Sequence, residues 1–335
     1  MLHIAVVGAT GAVGQEMLNA LAERQFPVGK LSLLASERSA GSTLEWAGQS
    51  HVVQEAKDEA FEGVDIVLMS AGGAASRALA PLAAARGAVV IDNSSAFRQQ
   101  EDVPLVVPEV NGHLARELPR RRIIANPNCA TIQMVVALAP LHQEAPLRKL
   151  VVSTYQAVSG AGQKGISELG EQVAALFNQT EFTPKVFPRR IAFNCLPQID
   201  TFVEGTTGEE QKISQETRKI LGIDDLPVTA TCVRVPVFNG HAVSLYGEFA
   251  APLSAVRAQE LLRAAPGVLL MDDPKEGVYP TPVDAEGQDA TLVGRVRNAG
   301  GSDQALALWC VADNLRKGAA TNAVQIAEIV MGALS

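Results

Sequence analysis

The sequence predicts an α/β fold in two domains: an N-terminal domain on a parallel sheet and an α+β domain on a mixed sheet, with the last helix returning to the first domain. Three observations carry this. A strand, a glycine-rich turn and a helix open the chain, strand and helix signals then alternate to about residue 128, and from about Lys149 longer strands with fewer helices take over. A chain of 335 residues is also too long for one ordinary core.

His3 to Val7 is a continuous apolar run of buried-strand length. It leads into Gly8-Ala9-Thr10-Gly11-Ala12-Val13-Gly14 and then a helical pattern carrying Met17, Leu18, Leu21 and Ala22. This is the order of a Rossmann-type dinucleotide fold, in which glycines let the backbone approach a pyrophosphate and the helix N-terminus supplies donors and positive dipole. Gly8, Thr10, Gly11, Ala12 and Val13 are therefore expected to hold the cofactor. The next strand, Lys30 to Ala35, ends in Ser36-Glu37-Arg38-Ser39. Glu37 would suit the free ribose hydroxyl of NAD, whereas Ser36, Arg38 and Ser39 together favour the 2′-phosphate of NADP. The plain alternative is an ordinary polar turn.

Strands at 64–69 and 88–92, with a helix through Ala80 and Leu82 between them, continue the alternation. The polar loop Asn93 to Arg98 then falls at the carboxyl end of a strand, where open α/β sheets place ligands, so Arg98 is a candidate anion binder. A short strand at 123–125 precedes Asn126-Pro127-Asn128-Cys129, and Met134 to Leu138 continue at helical spacing. Cys129 is thus expected in the first turn of a helix, whose unpaired N–H groups and dipole favour the thiolate. A cysteine taken alone is more often a small buried hydrophobe.

In the second domain, strand 151–158 runs into Ser159-Gly160-Ala161-Gly162, followed by a helix from 167 to 177. A helix from 209 to 221 sets Glu209 and Lys212 three residues apart on one face, which by itself describes an exposed pair of little energetic weight. In strand 228–235, Arg234 is a charge within an apolar run, costly unless paired. His241 follows Phe238-Asn239-Gly240, late strands fall at 290–293 and 305–311, and Asn314 to Ala333 is expected as one amphipathic helix docked on the first domain.

The net charge of −8, the few aromatics, and a single basic tract at Arg120-Arg121-Arg122, taken as a solvated loop, argue against nucleic acid and anionic membranes. Without a membrane-length apolar run or a signal peptide, a cytoplasmic protein is expected. Cysteines at 129, 195, 232 and 310 contain no Cys-x-x-Cys pair, so neither a disulfide framework nor a metal site is indicated, and the last three are expected to be packing residues.

Across nearly its whole length the chain resembles aspartate-β-semialdehyde dehydrogenases. The resemblance is carried by the segments 8–14, Asp-Asn-Ser-Ser-Ala-Phe-Arg at 92–98, 103–111, Asn-Pro-Asn-Cys at 126–129, Tyr-Gln-Ala-Val-Ser-Gly-Ala-Gly at 155–162, Arg-Val-Pro-Val at 234–237 with Gly-His at 240–241, and 313–320. The resemblance implies an NADP-binding domain at 1–128 completed by 314–335, and a catalytic and dimerisation domain at 129–313. It also implies a homodimer or homotetramer that converts L-aspartyl-4-phosphate reversibly to L-aspartate-4-semialdehyde and inorganic phosphate, a step towards lysine, threonine and methionine. By position it makes Cys129 the nucleophile that forms a thioester, His241 the acid/base and Gln156 the residue orienting the acyl group. Arg234 becomes the clamp for the substrate carboxylate, Glu209 the partner of its amino group, and Arg98 and Lys212 the phosphate binders. Ser159, Gly160 and Asn314 join Thr10 to Val13, Arg38 and Ser39 around NADP.

The chemistry is consistent with these roles. A thiolate displaces phosphate and later leaves, and histidine handles protons near neutrality. A guanidinium grips a carboxylate in bidentate fashion, while the Cys129 N–H and the Asn128 side chain are placed to stabilise an acyl oxyanion. Ala130 and Gly208 depart from the family pattern, and Gly208 is expected to loosen the start of the Glu209 helix. Two alternatives stay open: a reductase of another acyl phosphate such as N-acetylglutamyl phosphate, and a non-catalytic nucleotide-binding paralogue.

Overall fold

The computed structural model describes Met1 to Leu334, which divide into two compact units, 1–128 with 319–334 and 129–318. In chain order the first unit contains β1 (Leu2–Val7), α1 (Ala12–Glu23), β2 (Val28–Ala35), β3 (Thr43–Trp46), β4 (Gln49–Val52), β5 (Gln54–Glu55), β6 (Ile66–Met69), α2 (Gly73–Ala85), β7 (Val89–Asp92), α3 (Pro108–Asn111) and β8 (Ile123–Ala125). The second contains α4 (Cys129–Glu144), β9 (Leu147–Gln156), α5 (Gln163–Phe177), β10 (Phe202–Val203), β11 (Thr206–Thr207), α6 (Gly208–Leu221), β12 (Val228–Arg234), β13 (His241–Phe249), α7 (Ala255–Ala264), β14 (Val268–Leu270), α8 (Pro282–Ala285), β15 (Thr291–Asn298) and β16 (Ala305–Ala312). Helix α9 (Thr321–Leu334) returns to the first unit. No helix among the described residues is long and apolar enough to cross a membrane.

The first unit is built on a parallel sheet of order β5-β2-β1-β6-β7-β8, its central strands apolar on both faces as a covered parallel sheet requires. Ile4, Val6, Met17, Leu21, Ile66, Leu68 and Ile91 form its core together with Ala323, Val324, Ile326, Ala327 and Val330 of α9. Polar contacts fix that helix further. Asn322 Nδ2 donates to Asn126 Oδ1 at 2.6 Å and to Val106 O at 3.0 Å, and Arg24 grips Glu328 through two 2.8 Å bonds. The single amphipathic helix expected from Asn314 is not found. A π-helical turn over Arg316–Ala320 precedes α9, and the first turn of α9 is buried all round because the core closes over it.

The second unit carries a mixed sheet of order β12-β9-β13-β16-β15-β14. Strand β12 pairs with β9, and β14 with β15, in parallel; the other pairs are antiparallel. One face packs on α4 and α7 through Met134, Leu138, Leu150, Val152, Leu245, Leu262 and Leu308. Strands β9, β13 and β16 alternate buried residues with half-exposed ones on the opposite face, where Tyr155 packs against Trp309 at 5.4 Å between ring centroids, the rings tilted by 49°.

The irregular stretch between α5 and β10 is ordered from below. Glu168, buried in α5, accepts from the backbone N–H groups of Lys185, Val186 and Phe187, and Gln172 Oε1 accepts from those of Ile191 and Ala192. Cys195 lies in this stretch and is exposed, so it is not the packing residue expected. It lies outside any strand or helix, and its N–H donates to Asn194 Oδ1 at 2.9 Å.

Candidate active site

In the first unit the turn after β1 is shaped by what glycine lacks. Gly8 adopts a φ of 81°, and a Cβ there would lie 2.3 Å from the carbonyl oxygen of Ser70. One at Gly14 would lie 2.2 Å from the carbonyl oxygen of Gly8. No side chain caps α1 at Gly11, so Thr10 to Val13 present a bare helix start of the kind that accepts a dinucleotide pyrophosphate. Ser36 precedes a tight 3-10 turn over Glu37–Ser39, with Ser36, Glu37 and Arg38 exposed at the end of β2. These residues fit NADP.

Arg98 is buried, not displayed on an open loop. Its Nε donates to the Asn126 carbonyl and its Nη2 to the Asn93 carbonyl, each at 2.9 Å, so it braces the segment leading to Cys129. Asn126 is itself bonded to Asn93 Oδ1 at 2.6 Å and to the Ala319 carbonyl at 3.1 Å. Asn128 is buried immediately before α4.

In the second unit the sheet register assembles the site. Arg234, the last residue of β12, lies opposite Gln156, the last of β9, because those strands run parallel. Strand β13 runs the other way and begins at His241, with Ala242 opposite Tyr155, so three strand ends meet on one edge. His241 also lies opposite Ala312, which brings Asn314 to the same edge. Asn314 Oδ1 accepts from Ser159 Oγ and from Gly240 N, both at 3.0 Å. Cys129 is the first residue of α4, and one turn on Gln133 Nε2 donates to the His241 carbonyl at 3.0 Å, tying the helix start to the same strand end.

Ala157 holds two of these side chains through its backbone. Its N–H donates to His241 Nδ1 at 3.1 Å, and its carbonyl accepts from Arg234 Nη1 at 2.7 Å. With Nδ1 accepting, the neutral imidazole carries its proton on Nε2, which is buried and makes no hydrogen bond within the protein. Complete burial and the Arg234 charge push the His241 pKa well below the usual histidine value, so the ring is neutral near pH 7. Burial also lowers Arg234, while Glu209 and Cys129 act the other way. Gly160 closes over the pair: a Cβ there would lie 2.7 Å from Arg234 Nη1 and 3.1 Å from His241 Nε2. At Gly318 it would lie 2.9 Å from the Cys129 Cβ.

Gln156 Nε2 donates to Glu209 Oε1 at 3.2 Å, linking the strand ends to α6. Glu209 is buried and pairs with Lys212 Nζ at 3.3 Å, so the two are more than an exposed helix pair. Lys212 also bonds Asp200 Oδ2 at 2.8 Å. Burial pulls the Lys212 pKa down, but the Glu209 and Asp200 carboxylates outweigh it and the net shift is upward. The same hydrogen bond from Lys212 holds the Asp200 carboxyl below its usual range.

The expected looseness at Gly208 is absent. Thr207 caps α6 in a reciprocal capping box with Glu210, which satisfies the N–H groups that a loose start would leave open. Cys232 and Cys310 are buried, their thiols raised by desolvation, Cys232 to about 12, which fits their packing role. Ala157, Gln133 and Asp200 were not picked out from the sequence; the first acts through its backbone and leaves no side-chain signal to find.

Two domains, one shaped for a dinucleotide and one gathering a cysteine, a histidine and an arginine, define a nicotinamide-dependent semialdehyde dehydrogenase. The family model described as the semialdehyde dehydrogenase NAD binding domain matches residues 3–118, and that described as the semialdehyde dehydrogenase dimerisation domain matches residues 138–317. Within that class the chain belongs to the aspartate-semialdehyde dehydrogenase family. It is 52% identical to the aspartate-semialdehyde dehydrogenase of Aquifex aeolicus (strain VF5), over 98% of each chain. It is also 52% identical to that of Bacillus subtilis (strain 168), over 98% of this chain and 96% of the relative. The crystal structure of aspartate semialdehyde dehydrogenase II complexed with ASA from Vibrio cholerae superimposes with a TM-score of 0.96 at 49% identity, covering 99% of this chain and 98% of that one. The Candida albicans enzyme with NADP gives 0.77 at 26% identity, covering 100% and 99%.

Proposed function

We propose that the chain carries out the reaction of its family: L-aspartyl-4-phosphate, NADPH and a proton give L-aspartate-4-semialdehyde, NADP and inorganic phosphate, reversibly, with Cys129 as nucleophile. The observation that carries the residue roles is the convergence of Gln156, Arg234 and His241 on one sheet edge, tied through Gln133 to the helix that Cys129 begins.

The Cys129 thiolate, favoured by the helix N-terminus and the Arg234 charge, attacks the acyl carbon; the thioester forms as the C–O bond to phosphate breaks, and the departing phosphate takes up the proton of the overall equation from solvent. Bound NADPH supplies the hydride that reduces the thioester carbon. The resulting alkoxide on the Cys129 adduct collapses to the aldehyde and expels the thiolate, so no proton crosses in that step. His241 presents Nε2–H to the oxygen on which charge develops and is proposed as the acid/base of the reaction. The Asn128 side chain and Cys129 N–H serve the same oxygen. Arg234 grips the substrate carboxylate and Gln156 orients the acyl group. Glu209, a buried carboxylate, receives the α-ammonium, which speaks against an acetylated substrate. Arg98 and Lys212 hold phosphate. Gly8, Thr10 to Val13, Ser36, Arg38 and Ser39 in one unit, and Ser159, Gly160 and Asn314 in the other, hold NADP.

The open face of the mixed sheet, with Tyr155 and Trp309 half exposed, is proposed to pair two copies of the chain. A monomer in analytical ultracentrifugation at micromolar concentration would refute that pairing. The reaction is tested by comparing oxidation of aspartate semialdehyde with that of N-acetylglutamate semialdehyde, each with NADP and phosphate. Preference for the acetylated aldehyde overturns the substrate, and an acyl adduct mapped by mass spectrometry to a residue other than Cys129 overturns the mechanism.

A further inference from the structure

We propose that Asp200 is a positioning residue for the phosphate step: its carboxylate competes with phosphate for Lys212 and so sets how tightly phosphate is held. The proposal rests on the reading of Lys212 as a phosphate binder.

Asp200 stands just before the β10–β11 hairpin with a φ of 71°, in the left-handed region that aspartate and asparagine tolerate better than most residues. Its Oδ1 accepts from the Thr201 N–H at 2.8 Å, and its Oδ2 accepts from Lys212 Nζ at 2.8 Å. Gly208 makes room for this. A Cβ there would lie 2.7 Å from Oδ2 and 2.9 Å from the carboxyl carbon, so the first residue of α6 must be bare for the carboxylate to lie across it.

Lys212 thus lies between two carboxylates, Asp200 and Glu209; the Arg234 charge offsets that of Glu209, which leaves Asp200 as the group that cancels Lys212 and opposes a phosphate anion. Phosphate can take the third N–H of the Lys212 ammonium, but it is held there more tightly when one of the two carboxylates yields. Glu209 is buried and held by Gln156, whereas the Asp200 side chain is 41% exposed and lies on a turn, so Asp200 is the one that gives way. An ion pair this exposed is weak enough to exchange during turnover.

The test follows semialdehyde oxidation in Asp200→Asn, Gly208→Ala and Lys212→Ala proteins while inorganic phosphate is titrated. Asparagine keeps the left-handed backbone and the Thr201 contact but removes the charge. Asp200→Asn is expected to lower the KM for phosphate about threefold, leaving kcat and the KM for the semialdehyde unchanged. Gly208→Ala, which displaces the carboxylate sterically, should lower it in the same direction. Lys212→Ala raises the phosphate KM, and in that background Asp200→Asn adds nothing. An unchanged or higher phosphate KM in Asp200→Asn, where Lys212→Ala has raised it, overturns the competition while leaving the role of Lys212 intact. No effect of Lys212→Ala on phosphate removes that role and the proposal with it.

Discussion

The turn after β1 and the edge where β9, β12 and β13 meet are the two sheet ends proposed to receive ligands, and they are built in opposite ways. The first is bare backbone: glycines at 8 and 14 whose missing side chains would strike carbonyl oxygens, and a helix start that no side chain caps. The second is a set of reactive side chains, each held by another group: His241 and Arg234 by the backbone of Ala157, Gln156 by Glu209. A dinucleotide needs donors and clearance, which backbone supplies. Acyl transfer needs a nucleophile, a donor and a cation, which only side chains supply. Damage to the first region should therefore appear as lost clearance, and damage to the second as lost chemistry.

Removal of the proposed nucleophile should separate the two most sharply. Cys129→Ala is expected to lose at least about 10⁴-fold in turnover with NADP binding by fluorescence titration retained; parallel loss of both would break the distinction. Gly160→Ala crosses between the two modes, since clearance there serves the side chains. A methyl group against His241 Nε2 and Arg234 Nη1 should cut kcat on the order of 10²-fold at an unchanged melting temperature. A change confined to the KM for NADP would assign that glycine to the nucleotide alone.

Gly14→Ala, with its Cβ 2.2 Å from a carbonyl oxygen, is expected to destabilise by about 1–3 kcal/mol in denaturant unfolding. Intact stability would mean that the turn relaxes freely. The smallest effect expected concerns pH. His241 is neutral in the folded state with a lowered pKa, so unfolded chains bind the extra proton as pH falls below about 6.5. Its share of stability is present above that pH and is lost on acidification, by at most about 1.4 kcal/mol per pH unit. His241→Asn should flatten the acid side of a melting-temperature profile; an identical slope would place the titration elsewhere.

The parallel-sheet unit was legible because its signals are local. The Val-rich run before Gly8 and the helical spacing of Met17, Leu18 and Leu21 each sit within a few residues. The position of Cys129 at a helix start was legible for the same reason. What brings Gln156, Arg234 and His241 together is register between strands separated by some 80 residues of chain, which no local pattern encodes, so their association rested on family resemblance. Ala157 acts through its peptide groups, and Asp200 through a turn conformation and a glycine eight positions away, so neither leaves a readable pattern. Cys195 was misread because its exposure depends on a long irregular segment pinned by Glu168 and Gln172.

Helix α9 has a consequence for synthesis. Five of its apolar side chains, from Ala323 to Val330, complete the core of a unit whose first strand begins at Leu2. On a ribosome that unit starts before the second one and finishes after it. While the intervening residues emerge, its half-made hydrophobic layer has nothing of its own to cover it, and chaperone dependence during translation is expected to concentrate there.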